Sequence, residues 1–213
     1  MFFQNRTEAG QRLASQLIET LPELKNNPHV LVLALPRGGV PVGFEIAKKL
    51  GVQFDLIISH KLGYPENSEL AIGAVAEDGS AFIDPAYASS ISKDYIKNEI
   101  AVQLAEIKKR IKKYRLGKPL ASLQDRIIIL VDDGIATGNT MKAAIALAKK
   151  GKARKIIIAV PILPKDTLSN LPKDTQAVFL DTPYPFLAIG RFYRDFPQLH
   201  DEEVRFYLEE ASK

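Results

Sequence analysis

Residues Ile127–Thr140 read IIILVDDGIATGNT and restrict the fold more than any other stretch of the chain. Five consecutive apolar residues, four of them β-branched, describe a strand buried on both faces, as in a parallel sheet covered by helices. Two aspartates follow without a spacer. A loop of small residues comes next, Gly134-Ile135-Ala136-Thr137-Gly138, and a helical pattern opens at Asn139 or Thr140. Strand, acidic turn, small loop and helix form half of a βαβ unit.

The rest of the chain repeats this alternation. Thr7 stands where an N-cap belongs, and Leu13, Leu17 and Leu21 then recur at helical spacing until Pro22. Val30–Leu35 is a second apolar run, followed by Pro36-Arg37-Gly38-Gly39-Val40-Pro41 and a helix to Leu50, with Gly51 as its C-cap. Phe54–Ser59 reads as another buried strand and His60–Asn67 as a polar loop. Asp78-Gly79 between Leu70–Ala76 and Ala81–Ile83 predicts a hairpin. A basic helix is expected over 92–114, broken by Gly117 and Pro119. After the Ile127 strand and its helix to Lys150, strands at 156–160 and 177–180 flank a short helix over 166–171. The expectation is an α/β domain spanning 1–213, an open and mostly parallel sheet flanked by helices. Residues 60–119 form an insertion of loop, hairpin and long helix. The aromatic- and proline-rich stretch 182–213 forms a small cap closed by a helix near Asp201.

Ligands of such sheets bind beyond the carboxyl ends of the strands. Three strand ends carry unusual loops, Pro36–Pro41, Ser59–Asn67 and Asp132–Thr140, and their convergence on one crevice is expected. Paired carboxylates suit the vicinal hydroxyls of a sugar. Backbone N–H groups from Gly134 to Asn139, at a helix N-terminus, suit a phosphate, with hydroxyls of Thr137 and Thr140 nearby. Other phosphate motifs fail. Asn139 stands where a P-loop needs lysine, and no strand–helix turn carries G-x-G-x-x-G. The absence of cysteine excludes disulfides, zinc–thiolate sites and thiol nucleophiles.

The segment Ile128–Thr140 closely resembles the signature of the type I phosphoribosyltransferases, which use phosphoribosyl pyrophosphate (PRPP) as donor. The resemblance implies that Asp132 and Asp133 bind the ribose hydroxyls. It implies that Gly134, Ile135, Ala136, Thr137, Gly138, Asn139 and Thr140 wrap the 5′-phosphate. Arg37-Gly38-Gly39 resembles the family's pyrophosphate loop, with its often cis peptide, and Lys61 matches a basic position that contacts pyrophosphate. The string KLGYPENSELAIGAVAEDG is similar to a bacterial branch of the family. Implied with it are Mg²⁺ bound with PRPP, possible contact of that metal with Asp132 and Asp133, and a nitrogenous, nucleobase-like acceptor gripped by a C-terminal hood near 183–196. A homodimer is implied by analogy. Relatives place a mobile flap between the second and third strands, an interval that here holds the hairpin and the basic helix. His60 and Glu69 lie close by as candidate bases, although a structural role is the first reading of each. A PRPP- or nucleotide-sensing regulator of the same fold is the alternative to an enzyme.

Net charge is +4, from 29 basic and 25 acidic residues. The densest basic stretch is KKRIKKYRLGK, Lys108–Lys118, read first as a solvated helix face, then as a subunit contact or an anion-facing surface. No aromatic platform interleaves with it, so nucleic-acid binding is not expected. No apolar run reaches the roughly 20 residues that cross a bilayer. The first residues lack a signal-peptide pattern, so a cytoplasmic, membrane-free setting is expected.

Overall fold

The computed structural model describes residues 2–213; the side chain of Glu69 lies outside the described atoms, so its candidacy as a base is not addressed. The chain opens with α1 (Arg6–Thr20) and a 3₁₀ turn at Pro22–Leu24, then runs through β1 (Val30–Ala34), α2 (Gly39–Leu50) and β2 (Gln53–Leu56). A second group follows: β3 (Ser59–Tyr64), β4 (Asn67–Ala76), β5 (Ala81–Ile83), α3 (Pro85–Ala88) and α4 (Lys93–Arg115). The main sheet resumes with β6 (Ile127–Val131), α5 (Asn139–Lys150), β7 (Lys155–Ile162), α6 (Lys165–Ser169) and β8 (Gln176–Asp181), and the chain closes with α7 (Asp201–Glu210).

Two sheets result. The larger has five parallel strands in the order β2-β1-β6-β7-β8; the smaller is antiparallel, β3-β4-β5. All five residues of β1 and of β6 are buried, as their unbroken apolar runs require. The pleat of β6 sends Ile128 and Leu130 toward α5, against Met141, Ala144, Ile145 and Ala148. It sends Ile127, Ile129 and Val131 to the other face, into the core they share with Leu13 and Leu17 of α1 and Ile46 and Leu50 of α2. β1 and β6 pair from Val30↔Ile127 to Ala34↔Val131, so both strands end level. That common end places the loop after β1 beside the loop after β6.

Several expected boundaries are corrected. The N-cap of α1 is Asn5, whose side chain accepts the N–H of Glu8, and Thr7 lies within the helix. Asn ranks above Thr at this position, and its short amide reaches the third N–H. The strand expected over 54–59 is divided: β2 ends at Leu56, and Ser59 begins β3 in the other sheet. The segment read as a polar loop, 60–67, is mostly strand. β3 pairs with β4 from Ser59↔Ala76 to Tyr64↔Asn67, leaving Pro65 and Glu66 as the turn. Burial of Leu62 among Ile58, Ile72 and Ile107 holds β3 in place despite its polar composition. A register shift at Gly63 absorbs the irregularity.

The hairpin through Asp78-Gly79 and the basic helix form where expected. Ser92 caps α4, and its inner side packs Ile107 and Tyr114 over β3, β4 and α7. Aromatics of the C-terminal stretch, Phe192 and Tyr193, close over Phe3 and Ala9. No helix among the described residues is long and apolar enough to cross a membrane.

Candidate active site

The acid pair leaves the end of β6 buried in different ways. Asp133 is 7% exposed, and its Oδ2 accepts the Nε–H of Arg6 at 2.8 Å. Arg6 lies in the first turn of α1 and is itself 8% exposed. It donates a second hydrogen bond to the Pro197 carbonyl at 2.8 Å, and its guanidinium sits 3.7 Å from the centre of the Phe196 ring. The Tyr193 hydroxyl donates to the Asp133 carbonyl at 2.6 Å. Asp133 is thus gripped from both chain ends. Burial still pushes its carboxyl up, with Arg6 opposing that push. Asp132 is half-buried and accepts the Asp133 N–H at 2.9 Å. Burial first, and then the charge of Asp133, push it well above the ordinary carboxylate range.

The loop after β1 closes directly over these acids. Its Pro36–Arg37 peptide is cis, the configuration implied by the resemblance. A methyl group on Gly38 would lie 2.1 Å from Oδ2 of Asp133, and one on Gly39 would lie 2.6 Å from the Val131 carbonyl oxygen and 2.8 Å from Cα of Asp132. Both positions demand glycine because nothing larger fits between the loops. The two cases differ in what must yield, a carboxylate at Gly38 and backbone at Gly39. Gly39→Ala is therefore expected to cost about 1–3 kcal/mol of stability, the ordinary range for overpacking. Urea denaturation measures this, and a change under about 0.5 kcal/mol, the usual surface range, would contradict the packing.

The loop of small residues is fixed at three points. Ile135 N–H donates to the Ile162 carbonyl at 3.0 Å, and Thr167 Oγ1 on α6 donates to the Ala136 carbonyl at 2.6 Å. Gly138 takes φ 80°, the left-handed region open to glycine, and turns the chain into α5. No side chain caps α5 at Gly138. The N–H groups of its first turn, from Asn139 onward, lack partners within the helix and point toward its N-terminal end, where the 134–138 loop enters. Asn139 is 3% exposed, and its Oδ1 accepts no hydrogen bond. Ala136 and Thr137 stand exposed at the loop tip, and Thr140 is half-buried.

The structure therefore brings together Gly38, Gly39, Asp132, Asp133 and the 134–140 loop. It treats the third expected loop differently. Lys61 lies within β3 of the small sheet, exposed, opposite Ala74. Strand pairing at this point replaces the loop that would have carried the lysine past the end of the main sheet. His60 is half-buried against α4, where burial and then the charge of Arg110 hold it below its ordinary value. Arg37 extends to the other side of its loop, 3.7 Å from Asp201 on α7. Sequence reasoning missed Arg6, Tyr193 and Phe196 as site residues. Only the crowding of aromatics at 184–196 signalled that this stretch packs on something.

As for a metal, no group of three or more His, Asp or Glu residues among those described could hold one. With Asp133 committed to Arg6, Asp132 is the carboxylate left to meet a cation. That donor set fits Mg²⁺ carried by a ligand's phosphates with at most one protein carboxylate, and does not fit an all-protein cage.

Comparison with known proteins gives the chain a family. The phosphoribosyl transferase domain family matches residues 3–190, and the chain belongs to that family. Two Mycobacterium tuberculosis proteins that carry the provisional name phosphoribosyl transferase are each 38% identical over 217 residues, covering 99% of this chain. The chain spans about half of their length, 47%. A Thermus thermophilus protein of known crystal structure is 36% identical and superposes with a TM-score of 0.83 over 99% of both chains. An Aquifex aeolicus protein shares the fold alone, at 11% identity and a TM-score of 0.52, over 83% of this chain and 74% of that one.

Proposed function

We propose that the protein transfers the 5-phosphoribosyl group of PRPP to a nitrogenous, nucleobase-like acceptor and releases pyrophosphate. The observation that carries this reading is the uncapped N-terminus of α5, with its glycine-bounded loop, set directly beside the half-buried carboxyl of Asp132. The loop 134–140 surrounds the 5′-phosphate with backbone donors at the positive end of a helix. Asp132 accepts from the ribose hydroxyls, and Asp133 fixes the turn through Arg6. Gly38 and Gly39 let the neighbouring backbone approach the pyrophosphate; Arg37, on the same loop, is its candidate cation, and Lys61 would reach it only by a movement of β3. Mg²⁺ bound with PRPP would neutralise charge on the leaving group. Because the ring becomes positive as the bond to pyrophosphate breaks, fixed carboxylates near it and fixed cations near the leaving group favour the transition state. No residue needs to act as a covalent nucleophile.

Calorimetry with PRPP and Mg²⁺ is expected to show saturable binding; its absence at millimolar ligand would overturn the reading. Pyrophosphate release is then expected with at least one of purine, pyrimidine or nicotinate-like acceptors. Binding without release from any of them would favour a sensor of the same fold.

A further inference from the structure

Between the loop after β1 and α4 lies a cavity of about 170 Å³ that the site above leaves unused. Arg37, Lys109, Arg110, Lys113, Tyr114 and Asp201 line it. Helical spacing brings Lys109, Arg110, Lys113 and Tyr114 to one face of α4, one turn apart. Asp201, the first residue of α7, occupies one side. It pairs with Lys113, accepts the Tyr114 hydroxyl and lies 3.7 Å from Arg37. Lys109 meets Glu106 at 2.6 Å. Arg110 is half-buried and makes no close ion pair or hydrogen bond among the described residues; its charge is felt by Glu106 one turn earlier. Four cations therefore face two carboxylates, Asp201 and Glu106, and two positive charges remain uncompensated. Tyr114 supports the same polarity. Burial and its bond to Asp201 push its hydroxyl up to about 12, so it stays a neutral donor.

A half-buried guanidinium that makes no close ion pair or hydrogen bond, and an excess of two charges in a small cavity, are complementary to a compact dianion. We propose that this cavity is a phosphoryl-anion site carried by α4, which takes pyrophosphate or phosphate, and that Asp201 is the internal anion that competes for its cations. The site is separate from the 134–140 loop. Its only link to the transfer reading is Arg37, which extends from the loop that would meet the donor's pyrophosphate. The leaving group of the reaction and free phosphate in solution share the chemistry the cavity selects.

The test is calorimetry of the full chain with sodium pyrophosphate, and then inorganic phosphate, at low ionic strength, where attraction between charges is least screened. Arg110→Ala and Lys113→Ala are each expected to weaken pyrophosphate binding about tenfold, the scale of one charge-assisted hydrogen bond. Asp201→Asn keeps an acceptor for Tyr114 but removes the competing charge, and is expected to tighten binding several-fold. Opposite signs from neighbouring residues separate a ligand site from a general loss of structure. Thermal melts confirm folding, and the exposed Lys109→Glu supplies a further charge reversal should Lys113→Ala fail to fold. Unchanged affinity in Arg110→Ala, or weaker binding in a folded Asp201→Asn, would overturn the proposal.

Saturation with PRPP identifies the source: loss of pyrophosphate binding assigns the cavity to the leaving group, and persistence assigns it to free phosphate. Ribose 5-phosphate, which lacks the pyrophosphate, tests the donor reading by itself. Failure of that ligand to bind, with Arg110-dependent pyrophosphate binding intact, would remove the donor reading and leave the α4 site standing.

Discussion

Arg6→Met is expected to lower the unfolding free energy by about 3–5 kcal/mol at neutral pH, the usual consequence of removing one partner from a buried ion pair. Methionine keeps an apolar stem of similar size but removes the guanidinium, and with it the ion pair, the bond to Pro197 and the stacking on Phe196. Asp133 would remain in its buried place behind Gly38 with no cation, and the Pro197 carbonyl would lose its donor. The pH dependence follows from Asp133, whose carboxyl is already pushed up by burial even with Arg6 beside it. Without Arg6 it rises further. A carboxyl whose folded pKa exceeds its unfolded one disfavours the fold increasingly as pH rises past the unfolded value, fully above the folded value, and that penalty fades as pH falls from the folded value to the unfolded one. The deficit of Arg6→Met is therefore largest at neutral pH and shrinks on acidification toward the ordinary carboxylate range. Urea denaturation at neutral and mildly acidic pH measures both. A deficit under about 1 kcal/mol, the range of an exposed pair, or one that does not change with pH, would show that Asp133 is not held by this contact.

The same residue marks the limit of what the chain discloses before folding. The strand at 127–131 was legible because five apolar residues in a row have few other fates, and its boundaries match the observed β6. The loop and helix after it were legible from local chemistry, small residues followed by helical periodicity. Arg6 stands 127 positions from Asp133, and nothing local distinguishes it from an exposed arginine in the first turn of a helix. Its role arises only when the start of α1 reaches the loop after β6 and the C-terminal aromatics close over both. The segment around Lys61 shows the opposite limit. Its neighbours Gly63, Pro65 and Asn67 are turn formers, and local reasoning therefore made a loop of a segment that pairing with β4 makes a strand. The basic face of α4 was visible as a run of charge. Its direction toward Arg37 and Asp201 was not, because that depends on how α7 packs.

Asp132→Asn is expected to raise stability and to weaken PRPP binding together. Asp132 has no cation of its own. Burial and then the charge of Asp133 hold its carboxyl well above the ordinary range, so its ionised form burdens the fold at neutral pH by the linkage that governs Asp133. Asparagine keeps the shape and removes the charge, and a gain of about 0.5–2 kcal/mol is the common return for relieving a strained functional position. The ribose hydroxyls would lose a charged acceptor, which is worth about 1.5–3 kcal/mol, or roughly a 10- to 100-fold rise in Kd. The wild type should show the same weakening as pH falls through the raised pKa of Asp132, while the variant should not respond there. Asp133→Asn separates the two acids: it leaves Arg6 buried without its partner and is expected to destabilise the fold. Calorimetry with PRPP and Mg²⁺ beside thermal unfolding reads all three quantities. Wild-type affinity in a folded Asp132→Asn would remove Asp132 from the ribose site. A stability loss in that variant matching that of Asp133→Asn would instead mean that both carboxylates support the fold and neither is held at a cost for the ligand.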